Sequence, residues 1–130
     1  RRTIPLGLHG DAGAFSHQDS LMTVSWTSLV ASGTTTQKRF VLTVIRTSDM
    51  GAGTVDAIFK VASWSFNILL SGVYPDQNYH GMPAFTRGSQ VADGWCGSLC
   101  QVRGDWQFYV EVFLFPQWNT ADAMCWNSLD

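Results

Sequence analysis

The sequence predicts an α+β domain whose elements follow in the order β-β-β-α-β-α: three antiparallel strands, a helix, a parallel strand and a helix. Three observations carry this expectation. Apolar residues alternate with period two in the first third of the chain, and a long stretch in the middle has helical spacing. A further apolar run then restarts as a strand and gives way to a short apolar helix. At 130 residues and 14.4 kDa, residues 1–130 are read as a single domain large enough to bury a core.

Ile4-Pro5-Leu6-Gly7-Leu8-His9 reads as a short buried strand that stops at Gly10-Asp11, where Gly10 and Gly13 loosen the backbone into a turn. Leu21 to Val30 alternates, with Met22, Val24 and Trp26 on one face and Thr23, Ser25 and Thr27 on the other. Ser32 to Thr36 is a loop, and Arg39 to Ile45 is a third, β-branched strand. Short connections between these strands imply an antiparallel meander.

Ser48 to Gly53 is a break, with Thr54 as the expected helix N-cap. Val55, Ile58, Phe59, Ala62, Phe66, Leu69 and Leu70 then recur at helical spacing, opposite Asp56, Lys60, Ser63, Asn67 and Ser71. Asp56 and Lys60 have the spacing of a favourable pair. Gly72 ends the helix and Pro75 prevents its continuation. Residues 75–97, rich in Gly, Pro, Asn and Asp, read as a long loop. Ser98 to Arg103 is the fourth strand, and Trp106 to Phe115 a helix stopped by Pro116. That helix is apolar nearly all round, which predicts deep burial. Gln117 to Asp130 shows no periodicity.

Two short strings, His9-Gly10-Asp11 and Arg103-Gly104-Asp105, each place an aspartate where an apolar run stops. The element order matches the first part of a ribonuclease-H-like fold, in which the first and fourth strands are parallel neighbours. Asp11 and Asp105 would then end together. Two carboxylates that close repel, and a divalent cation such as Mg²⁺ relieves the repulsion while polarising a phosphate and its attacking water. The plainer alternatives are an N-cap role for Asp105 and a turn role for Asp11. His9 at a strand end is a candidate to ligate metal or contact phosphate, with a core or rim residue as the plainer reading; His80 in the long loop has no partners in sequence and reads as solvated, and Trp64 and Trp106 read as packing residues.

The strings Ile4-Pro-Leu-Gly-Leu-His-Gly-Asp11, Trp64-Ser-Phe-Asn-Ile-Leu-Leu-Ser-Gly-Val-Tyr-Pro75, Arg103-Gly-Asp-Trp106 and Met124-Cys-Trp126 carry a resemblance through their order. Together they resemble transposase-like reading frames of dinoflagellate genomes, which are similar to the DDE catalytic domain of CACTA-type transposases. The resemblance implies that Asp11 and Asp105 correspond to the first two acidic metal ligands and that the third, a glutamate on a later helix, falls beyond residue 130. Glu111, the one glutamate of the chain, does not match that position. The Cys-Trp-x-Cys pattern of the resemblance is also broken, because Cys125-Trp126-Asn127 is followed by Ser128, a poor substitute for a zinc-binding thiolate.

Composition narrows the function classes. Charged residues make up 14% and the formal net charge is −2, and only Arg1-Arg2 and Lys38-Arg39 cluster, so the basic stripe of a free-standing DNA-binding domain is missing. No uninterrupted apolar run reaches the length of about 18 residues that spans a membrane. Cys96 and Cys100 lack the two-residue spacing common in zinc sites, and Cys96, Cys100 and Cys125 are expected as buried or free thiols, with one disulfide as the alternative. The opening Arg1-Arg2-Thr3 suggests a processed or excised product.

The expectation is therefore a structural or interaction module of a larger assembly, not catalytic alone, derived from a DDE-transposase-like domain. Scarce charge and surplus aromatic residues point to partner protein subunits. Two alternatives remain. One is part of an active Mg²⁺-dependent DNA transposase, which would act in the nucleus. The other is an accessory subunit of an organellar membrane complex, such as a dinoflagellate photosystem in a plastid.

Overall fold

β-branched and apolar residues in three closely spaced stretches build the meander. The computed structural model describes residues 2–14 and 19–115. In it β1 spans Arg2–Ala14, β2 Ser20–Ser28 and β3 Arg39–Arg46. The β2–β3 connection, expected as a loop, contains one helical turn, α1 (Thr35–Lys38), held at its start by Gln37 Oε1 accepting from the Thr34 N–H at 3.0 Å. A 3-10 turn at Thr47–Asp49 leads to α2 (Thr54–Ser71), and β4 (Trp95–Gly104) and α3 (Trp106–Phe113) complete the described chain. The fold is α+β. Its sheet has the order β3-β2-β1-β4, with β4 parallel to β1 and the other pairs antiparallel.

Alternation in β1 and β2 turns Leu8, Met22 and Val24 to one face, where they are buried with Phe108 of α3. Ile58, Phe59 and Phe66 of α2 pack against the same cluster. α2 covers its predicted stretch, but Gly53, in the left-handed region at φ 85°, is the N-cap and Thr54 the first helical residue. The Thr54 hydroxyl accepts from the Gly51 N–H at 3.0 Å. Gly72, also left-handed at φ 71°, ends the helix and donates to the Ile68 carbonyl at 2.8 Å. Asp56 and Lys60 do not close an ion pair; among the described residues Arg46 and Asp49, 2.8 Å apart, form the one that does.

Three sequence expectations are corrected. β1 does not stop at Asp11, because antiparallel pairing of Asp11 with Thr23 and Gly13 with Leu21 carries it on to Ala14. β4 begins at Trp95, where pairing with Arg2 starts, so the loop covers residues 72–94 instead of 75–97. Finally, α3 is not deeply buried. Phe108 is fully enclosed, yet Trp106 is 48% and Phe113 41% exposed, because the helix presses one narrow face onto the end of the sheet. Trp106 is accordingly a surface residue and not the packing residue its type suggested.

The contact that fixes α3 explains both glycines of the twin strings. Gly10 and Gly104 are paired on the neighbouring strands β1 and β4, and the Phe108 ring lies against both. A Cβ at either position would fall within contact distance of that ring too short for any real side chain. Neither glycine makes a turn; each supplies a gap.

Gly10→Ala is expected to destabilise the protein by about 1–3 kcal/mol through overpacking, and Phe108→Ala by about 3–5 kcal/mol through the cavity it leaves. Urea unfolding of both single variants and the double variant checks this. The double variant is expected to lose less than the sum, since removing the ring makes room for the new methyl group.

Candidate functional site

Both acids arrive at one end of the parallel strand pair. Gly10–Gly104 is the last pair of the β1–β4 ladder, and each aspartate follows its glycine directly. Asp11 continues along β1 and is exposed. Asp105 leaves β4 with extended backbone and becomes the N-cap of α3, its Oδ1 accepting from the Phe108 N–H at 2.7 Å. Its Oδ2 accepts from the Ala12 N–H at 3.2 Å, across 93 residues of sequence. The Asp105 carboxylate therefore lies against the backbone of the residue next to Asp11, and one side chain ties β1, β4 and α3 together.

His9 stands two residues before Asp11, on the same face of β1, with Ser25 of β2 and Arg103 of β4 as its flanking pairs. Burial pushes its imidazole below the ordinary value near 6.5, and the guanidinium groups of Arg39 and Arg103 push the same way. The carboxylates of Asp11 and Asp105 oppose that shift without overcoming it. His9 is thus held neutral over a wider range than a free imidazole.

Each oxygen of Asp105 already accepts a backbone N–H. Among the described residues, no three His, Cys, Asp or Glu side chains gather into a set that could hold a metal ion. Glu111 sits on α3, where one carboxylate oxygen accepts from Gln107 Nε2 at 2.8 Å. The other is buried with no hydrogen-bond partner among the described residues. Cys96 is buried and Cys100 exposed. Cys125, Trp126 and Ser128 lie outside the described residues.

One surface feature was not anticipated. The loop of residues 72–94 borders an open groove of about 740 Å³ lined by Trp64, Tyr74, Pro75, Met82, Pro83 and Phe85 among others. The run of Tyr, Pro, Met and Phe between 74 and 85 was the available signal, concealed by the Gly, Asn and Asp around it. His80 is exposed within this loop, with its ring against Tyr79 at 5.4 Å.

No family model, curated protein or solved structure matches the chain.

Two measurements probe this end of the sheet. Asp105→Ala is expected to cost about 1–2 kcal/mol by removing the acceptor of two backbone N–H groups, and Asp105→Asn less, because its amide oxygen still serves one of them. Thermal or urea unfolding distinguishes the two. For His9 the folded state binds its proton less readily than the unfolded chain. Its contribution therefore favours folding above the unfolded value near 6.5 and is lost as pH falls below it. His9→Gln is expected to flatten the slope of stability against pH in that window.

Proposed function

We propose that this chain is a structural or interaction module of a larger assembly, with a ribonuclease-H-like arrangement related to DDE transposases. In this reading Asp105 serves the architecture of the sheet end in place of phosphoryl transfer. The carrying observation is the Asp105 carboxylate, whose two oxygens accept from Phe108 and Ala12 backbone N–H groups. A carboxylate fixed in this way organises strand ends and a helix start. Two-metal chemistry would ask the same oxygens to turn toward cations and a phosphate.

The ribonuclease-H-like part of the reading is supported by the strand order β3-β2-β1-β4, by the helical crossover between β3 and the parallel β4, and by an acid directly after each paired glycine. The interaction part is supported by apolar side chains left on the surface. Along the edge strand β3, Phe40, Val41 and Val44 are each more than half exposed. No helix among the described residues is long and apolar enough to cross a membrane.

A second reading, an Mg²⁺-dependent nuclease or transposase part, is favoured by one observation. Asp11 is exposed at the same sheet end as Asp105, with His9 beside it. Calorimetric titration with Mg²⁺ and Mn²⁺, together with thermal melting, separates the two readings. The structural reading expects neither saturable heat nor a rise in melting temperature. Saturable heat that Asp11→Asn abolishes would overturn it in favour of the enzyme.

A further inference from the structure

The strand order β3-β2-β1-β4 leaves β3 with a neighbour on one side only. Its outward N–H and C=O groups find no partner among the described residues, so the sheet ends there as an open template. An edge of this kind specifies its own occupant, because a further strand is the structure whose backbone groups match it.

Apolar side chains line both faces of this edge. Pairing with Trp26 places Phe40 on the face covered by α2, where the two rings stack with centroids 4.8 Å apart and Phe40 still stays 52% exposed. Arg39, Val41 and Val44 pair with Thr27, Ser25 and Thr23 and so share the opposite face. The register slip that leaves Leu42 unmatched is what keeps Val41 and Val44 on one side. Val41 is 61% and Val44 52% exposed, and a strand laid alongside would cover apolar surface on both faces at once.

Charge decides which strand fits. Lys38, Arg39 and Arg46, three of the eight Lys and Arg residues, stand at the two ends of β3 in a chain of formal net charge −2. Arg46 is matched by Asp49 at 2.8 Å, whereas Lys38 and Arg39 form no ion pair among the described residues. A second copy is disfavoured: full antiparallel overlap of two β3 strands sets Arg39 opposite Arg46 at both ends, and like charges directly opposite destabilise a sheet. A strand with acidic residues beside Lys38 and Arg39 meets the reverse situation, since its carboxylates complement the two unmatched cations. Antiparallel pairing, the slightly more stable mode, puts those acids at the carboxyl end of the added strand.

We propose that β3 is a docking edge for an extended segment of a partner protein, β-branched along its length and acidic at its carboxyl end, which joins the sheet as an antiparallel strand. This names the partner's chemistry for the interaction module and rests on that reading. Metal binding at Asp11 and Asp105 is measured separately, so failure of the docking edge is distinguishable from failure of the module assignment.

Fluorescence anisotropy of the full chain with a fluorescein-labelled peptide, Thr-Val-Thr-Val-Glu-Glu, tests it. Saturable binding is expected, and the matched peptide ending in Lys-Lys is expected to bind at least ~10-fold more weakly. N-methylation of the Val amides blocks one edge of the peptide and N-methylation of the Thr amides the other; one of the two is expected to abolish binding and the other to spare it. Arg39→Glu, a change at an exposed side chain, is expected to reverse the order of the acidic and basic peptides while leaving the melting temperature unchanged. Lys60→Glu on α2 is expected to leave that order as it is. No saturable binding of the acidic peptide overturns the proposal and leaves the terminal cations as guards of the edge. So does equal affinity for the two peptides, tolerance of N-methylation on both edges, or an order that Arg39→Glu does not change.

Discussion

Phe108 is the side chain on which the arrangement of this protein turns. Its ring is fully buried on two glycines that face each other across the parallel pair β1–β4. Dense packing of that kind leaves no room for adjustment, since interiors are filled to crystal-like density. It sets the height of α3 above the sheet and the separation at which the two strands end. Because the acid after Gly104 caps the same helix, its carboxylate is carried to the Ala12 N–H as well. The helix start, the sheet end and Asp105 meet at one aromatic ring.

This coupling changes what the repeated x-Gly-Asp string means. A glycine before an acid at a strand end invites a chemical interpretation, in which backbone freedom delivers a carboxylate to a substrate. In both strings the glycine is a socket for a ring, and in the second the acid is a clasp between backbone segments. Such a clasp is a charge-assisted hydrogen-bond acceptor, stronger than a neutral one, and suits a place where three elements meet. Asp11, by contrast, is engaged by none of these contacts and is exposed at the same strand end.

Much of the architecture was legible because periodicity is a strong signal. Helix α2 was visible from Val55 to Leu70, and β2 and β3 from the alternation of Met22, Val24 and Trp26 and from the β-branched run after Arg39. The misplacements share a cause. Gly10 and Gly13 suggested a turn because local propensity was weighed without the long-range partner β2, which extends β1 past Asp11. The capping role of Asp105 was among the plain alternatives, but its bond to Ala12 spans too much sequence for any local pattern to reveal. Trp106 misled for the opposite reason: an aromatic in an apolar helix implies a core, yet a short helix that meets the sheet through Phe108 and Tyr109 leaves Trp106 on an exposed face.

The position of β1 at the centre of the sheet has a further consequence for how the chain comes to be built. Its neighbour on one side, β2, follows within a few residues, while its neighbour on the other begins at Trp95. A growing polypeptide that has not reached that point has a hairpin-joined half-sheet whose earliest strand is open along one flank. The gap at Gly10 is then unfilled and the Ala12 amide has no carboxylate to meet. β1 is in this sense synthesised before the strands it pairs with yet completed only when β4 arrives, and closing a loop over so many residues carries an entropic cost.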